Sequence, residues 1–101
     1  MGCDGSTIEM MGRAEERIFR INDELAALDR EEELVAAELD YHRHIADDAE
    51  RDAVVSGLQA DALEAGATRA DVRRFERRLA EIRKRRERLA AKRERLIAKL
   101  R

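Results

Sequence analysis

From Ile18 onward, apolar residues recur in alternating steps of three and four, and no proline interrupts them anywhere in the chain. The first run is Ile18, Ile21, Leu25, Leu28, Glu32, Val35, Leu39, His42, Ala46, Ala49 and Ala53. It is a heptad seam with Glu32 and His42 as polar members. A second run, Val72, Phe75, Leu79, Ile82, Arg86, Leu89, Arg93, Leu96 and Leu100, repeats the pattern with Arg86 and Arg93 as its polar members. Residues three and four apart share one face of a helix, whereas a half-buried strand needs a period of two. Two long helices with matching apolar stripes follow.

Composition agrees with the period. Of 101 residues, 44% are charged and 44% hydrophobic, with two Phe, one Tyr and no Trp. Strands favour β-branched and aromatic residues, which are scarce here, so a β-rich protein is excluded. Ala, Leu, Glu and Arg dominate, and these are the strongest helix formers. So much charge also suits disorder, but a disordered chain has no need of a heptad. No apolar run approaches the ~20 residues of a membrane span, so no membrane partner is expected. The single Cys3 provides no disulfide framework and fits a reducing cytoplasm. Eighteen Arg against three Lys point to a GC-rich bacterial source. Residues 1–12 are expected to be a disordered leader ahead of a single domain, 13–101. Its start, Gly2 with Ser6 four residues on, matches a myristoylation pattern, a short motif with many false positives.

The punctuation between the two runs predicts a third, short helix. Ser56-Gly57-Leu58-Gln59 reads as a capping box, and Gly66 sits where a helix would stop. Thr68 then reads as the N-cap of the last helix, with Asp71 in its first turn. The expected fold is therefore all-α: long helix, short helix over about 57–65, long helix, folded as an antiparallel hairpin.

Charge supports the fold-back. Residues 1–72 carry 7 positive and 19 negative side chains, a net of −12, and residues 73–101 carry 14 and 4, a net of +10. An acidic arm and a basic arm joined by a short connection should lie against each other. Pairing positions that add to 114 sets Ile18 against Leu96, Leu25 against Leu89, Val35 against Leu79 and Leu39 against Phe75. Glu32 then falls one layer from Arg86, a candidate for a seam ion pair that specifies register more than it stabilises. A heptad shift, to positions that add to 121, satisfies the pattern equally.

The first helix carries apolar residues off its seam as well: Phe19, Leu34, Tyr41 and Ile45, with alanines between them. Two helices bury their seams only partly, and ordering costs about 1–2 kcal/mol per residue. A second stripe therefore asks for a further surface, and dimerisation into a four-helix bundle supplies one. These four residues are the expected partner-binding stripe, the partner being a second copy or another helical protein.

Few residues point to chemistry. His44 and Asp48 are spaced i, i+4, but two ligands are too few for a closed metal site. No nucleophile–base pairing, glycine-rich phosphate loop or zinc spacing is present. No catalytic residue, metal or cofactor is expected. His42, on the seam, is expected to resist protonation, so that acidification loosens the bundle. Asp47, Asp48, Glu50 and Asp52 form an acidic group toward the bend. An acidic tip on an antiparallel hairpin resembles the Gre transcript-cleavage factors. That resemblance implies a hairpin that enters the secondary channel of RNA polymerase, with tip carboxylates helping to hold a metal ion. The segment around Asp48, Arg51 and Asp52, followed by Gly66, Val72 and Phe75, is similar to the all-α chorismate mutases. That likeness implies substrate-carboxylate binding, with Arg51 as the residue carried over. The basic arm offers a nucleic-acid alternative, since its outward arginines can track phosphates, although stacking aromatics are missing.

Overall fold

The computed structural model describes residues 5–101, with side chains from Gly12 onward. Within that range the chain is a helical hairpin of α1 (Gly5–Ser56) and α2 (Gln59–Leu100), with no strand among the described residues. The all-α hairpin expected from the heptads is therefore what forms. The leader expected over 1–12, with Gly2, Cys3 and Ser6, falls outside the described side chains.

The short middle helix does not separate. Its residues join α2, which runs through Gly66 without a break. Thr68 is not an N-cap: it is buried, and its hydroxyl donates to the Ala65 carbonyl at 2.9 Å, a bond made within the helix. A glycine in a helix costs only about 1 kcal/mol relative to alanine. That is outweighed here because Asp61, Ala65 and Thr68 continue the steps of four and three into Val72 and carry the inward face through.

The one break is at Gly57, the only described residue with a left-handed backbone, at φ 66°. Its N–H bonds back to the Ala53 carbonyl at 3.0 Å, ending α1 in the manner of a glycine C-cap. The Leu58 N–H then donates to the Ser56 hydroxyl oxygen at 3.1 Å, which satisfies a backbone donor at the turn before α2 starts.

The chain forms two compact units. One combines the stretch ending at Arg30 with Lys84–Arg101, and the other is Glu31–Arg83, which contains the bend. In the first, Ile21, Leu25 and Leu96 are buried together, with Ile18 and Leu89 packed against them. Asp29 pairs with Arg86 and Asn22 with Arg93, both sets of positions adding to 115. In the second, Val35, Leu39, Ala46, Val72, Leu79 and Ile82 are buried. There the two-residue turn sets Ser56 and Gln59 on either side of the bend, and Glu32 meets Arg83; these positions again add to 115. The register lies one position from the lower of the two alternatives and six from the higher. With α1 ending at Ser56, a shift to 121 would need six more residues in the turn.

Arginine and glutamate flank the buried face and select the antiparallel orientation. In the unit with the termini, Arg85 bonds Glu24 through both Nε and a terminal nitrogen, the Nε contact being 2.8 Å. In the other, Arg78 bonds Glu31 at 2.6 Å and Arg43 approaches Glu76 at 3.7 Å. Each such exposed pair is worth about 0.2–1 kcal/mol, so their role is mainly in choosing the alignment.

Candidate functional site

Three features stand out: the first two lie on the unit that contains the bend, and the third is found in each unit separately. The first is an apolar pair on α1. Leu34 and Tyr41 lie seven residues apart, two helical turns, and so share a face; they are 66% and 63% exposed. Ile45, expected in the same stripe, is half-buried instead. It lies next to the inward-facing Ala46 and contributes little outer surface. Phe19, the fourth expected member, is exposed in the other unit.

Tyr41 is not simply an outward ring. Its edge meets the His42 imidazole at 5.7 Å between centroids and 75° between planes. His42 in turn stacks on Phe75 of α2 at 4.5 Å and 22°. The ladder runs from the exposed surface to the helix interface, a geometry that aromatic quadrupoles favour.

The second feature is the acidic group. Sequence reasoning treated Asp47, Asp48, Glu50 and Asp52 as one tip, but they separate by partner. Arg69 draws Asp47 and Glu50 together: Nε donates to Glu50 at 2.9 Å, and Nη2 reaches Glu50 at 2.6 Å and Asp47 at 3.3 Å. The Glu50 hydrogen bond, aided by Asp47, raises the already high pKa of this guanidinium. Asp48 pairs instead with Arg51, one helical turn on. Asp52 has no partner among the described residues. It lines a shallow concavity of about 330 Å³ with Arg51, Val55, Ser56 and Asp61. Arg69 is not singled out by the sequence pattern; its position after Thr68, flanking the continued seam, is the signal that places it there.

His44 belongs to the same surface. Its Nδ1–H donates to the Asp40 carbonyl at 2.8 Å. That bond, then the Asp40 carboxylate, and more weakly Asp47 and Asp48, raise its pKa above 6.5. Among the described residues no three or more His, Cys, Asp or Glu side chains are grouped to hold a metal ion.

The third feature is the set of polar residues at the helix interface. Glu32 is ion-paired to Arg83 at 3.1 Å. Arg86 and Arg93 are half-buried, and each extends sideways to an oxygen on α1, Asp29 at 3.0 Å and Asn22 at 2.8 Å. Their aliphatic stems cover apolar surface while the guanidinium groups stay near water. The α2 arginines thus divide. Those beside α1 are engaged, whereas Lys84, Arg88, Lys92 and Arg95 point outward with no ion pair among the described residues.

No protein-family model, curated protein or solved structure matches the chain. No helix among the described residues is long and apolar enough to cross a membrane. A helical hairpin is a scaffold shared by many activities, so function has to be argued from its surfaces.

Proposed function

We propose that this chain is a non-catalytic protein–protein interaction module of the bacterial cytoplasm. In this reading it is a coiled-coil-like hairpin that pairs with a second copy to complete a four-helix bundle. The supporting observation is the exposure of Leu34 and Tyr41 on one face of α1, away from the residues it buries against α2. A hairpin buries one stripe per helix, and this face is a second one. Recognition then works by helix-face docking, in which the apolar pair supplies affinity and the flanking charges supply orientation. The acidic outer surface of α1 and the basic outer surface of α2 favour copies that place each α1 beside a partner's α2.

Size-exclusion chromatography with light scattering tests this over a concentration series. The expected mass is near twice 11.6 kDa, falling to the monomer in the double variant Leu34→Ser, Tyr41→Ser. Phe19→Ser, made separately, asks whether the other unit joins the same contact. A monomer at every concentration, unchanged by any of these substitutions, rules out self-association.

A second reading is favoured by the unpaired outward cations Lys84, Arg88, Lys92 and Arg95. In that reading α2 tracks a phosphate backbone. Binding of a fluorescent single-stranded and a duplex oligonucleotide should then fall steeply with salt and weaken in Arg88→Ala, Arg95→Ala. An RNA polymerase secondary-channel role has less support, since Asp47, Asp48 and Glu50 are already engaged by arginines. The chorismate-mutase likeness is weakened in the same way, because Arg51 is occupied by Asp48.

A further inference from the structure

The bend is where a helical hairpin has least reason to be apolar, since a glycine and a few polar side chains suffice to turn the chain. This bend exposes four large apolar side chains. Val54 and Val55, in the last turn of α1, are 85% and 87% exposed, and Leu58 and Leu63, just beyond the turn, are exposed too. None of the four contributes to a core. The two valines are also weaker helix formers than the alanine or leucine used along the rest of α1. Neither packing nor local propensity therefore accounts for them.

The surface they make is shaped as well as apolar. Val54 and Val55, with Asp47, Glu50 and Arg51, line one open concavity of about 460 Å³. Leu58 and Leu63 line a second, of about 360 Å³, floored by Ala53, Gly57 and Ala62. Around them carboxylates outnumber cations, and both cations are engaged: Arg69 is held by Asp47 and Glu50, and Arg51 by Asp48. Asp52 and Glu64 have no ion pair among the described residues, and Asp61 accepts only the Ser56 hydroxyl.

From this we infer that the closed end of the hairpin is a docking surface for a basic segment of another protein, one that carries apolar anchor residues between lysines or arginines. Charge selects this occupant over the alternatives. Two tips brought together would oppose their own carboxylates, which disfavours self-pairing at this end. An acidic rim likewise disfavours an anionic lipid surface. A basic segment with one or two leucine-sized anchors satisfies both parts of the site: the anchors enter the concavities, and the cations meet Asp52, Asp61 and Glu64. This surface is distinct from the Leu34 and Tyr41 face and is tested independently of it.

The test uses the full chain, labelled with nitrogen-15, and a synthetic amphipathic peptide of leucine and lysine. A second peptide with the same leucines and glutamate in place of lysine is the control. The basic peptide should shift the amide resonances of residues 54–63 and the acidic one should not. Affinity should fall at least about tenfold in Val55→Ser, Leu58→Ser. It should fall by a smaller factor in Asp52→Asn, Glu64→Gln, a change that leaves the apolar surface intact. Leu34→Ser should bind the peptide as the parent does, with circular dichroism reporting unchanged helicity in every variant. Two results would overturn the inference: no shift at the tip, or equal binding of the acidic peptide.

Discussion

Leu34 and Leu39 are the same residue type, five positions apart on α1, and they separate the hairpin's own stability from any association. Leu39 is 3% exposed and Leu34 is 66% exposed. Truncation to alanine removes three carbon groups, and each fully buried one is worth about 0.8 kcal/mol. At Leu39 nearly all of that is lost, about 2.4 kcal/mol, and the cavity left against α2 brings the total to roughly 3–4 kcal/mol. At Leu34 only about a third of the side chain is removed from water, so the loss is about 0.8 kcal/mol. Alanine's helix propensity returns roughly 0.2 kcal/mol of it. A cost near 3 kcal/mol in a domain of this size moves the melting midpoint by about 12–24 °C. The assay is urea and thermal unfolding followed by circular dichroism, with each variant run over a wide range of protein concentration. Leu39→Ala should be strongly destabilised at every concentration. Leu34→Ala should be close to the parent when dilute and fall behind it as concentration rises, because its missing surface matters only where a second copy covers it. Equal, concentration-independent losses in the two variants would refute the assignment of the two faces. So would a Leu39→Ala loss below about 1 kcal/mol.

The other predictions concern the turn, the charges and pH. Gly57→Ala should destabilise by roughly 1–2 kcal/mol, because an alanine at φ 66° carries a steric penalty that glycine does not. Gly66→Ala should stabilise by about 0.5–1 kcal/mol, since it lies within α2 and an added Cβ meets nothing within 4 Å; paired chemical denaturation curves read both changes. Arg69→Met should lower the unfolding midpoint, and the deficit should shrink in about 1 M salt, where the screening length is near 3 Å; a salt-independent deficit would mean that Arg69 acts through packing. His44 should titrate above 6.5 by nuclear magnetic resonance, and Asp40→Asn should bring the midpoint down. Because its folded pKa is the raised one, the stabilisation linked to His44 is fully present below 6.5 and is lost as pH rises through the folded value. Stability should therefore decline on this account toward alkaline pH, and His44→Gln should remove that slope.

The sequence by itself determined the all-α hairpin, the inward faces of its two long heptad runs and their antiparallel sense. Those properties are local or summed. A step of three and four depends only on helix geometry, and the opposite net charges of the two arms are fixed by composition. Residues from Ile18 to Ala53, and from Val72 to Leu96, point inward as their spacing requires, and even Glu32, His42, Arg86 and Arg93 are half-buried where the pattern set them. Three things were decided only by the folded chain. Gly57 rather than Gly66 ends a helix, because a glycine stops a helix only where the backbone must turn left-handed, and the inward face continuing through Ala65 and Thr68 allows no turn at Gly66. The register was settled by the length of the turn, since a seven-residue repeat is indifferent to a shift of seven. The acidic group divided because Arg69, distant in sequence, reaches Asp47 and Glu50 but leaves Asp48 to Arg51 and Asp52 to solvent. Periodicity carries direction and burial, while the identity of partners across an interface depends on distances that exist only once the helices have closed on each other.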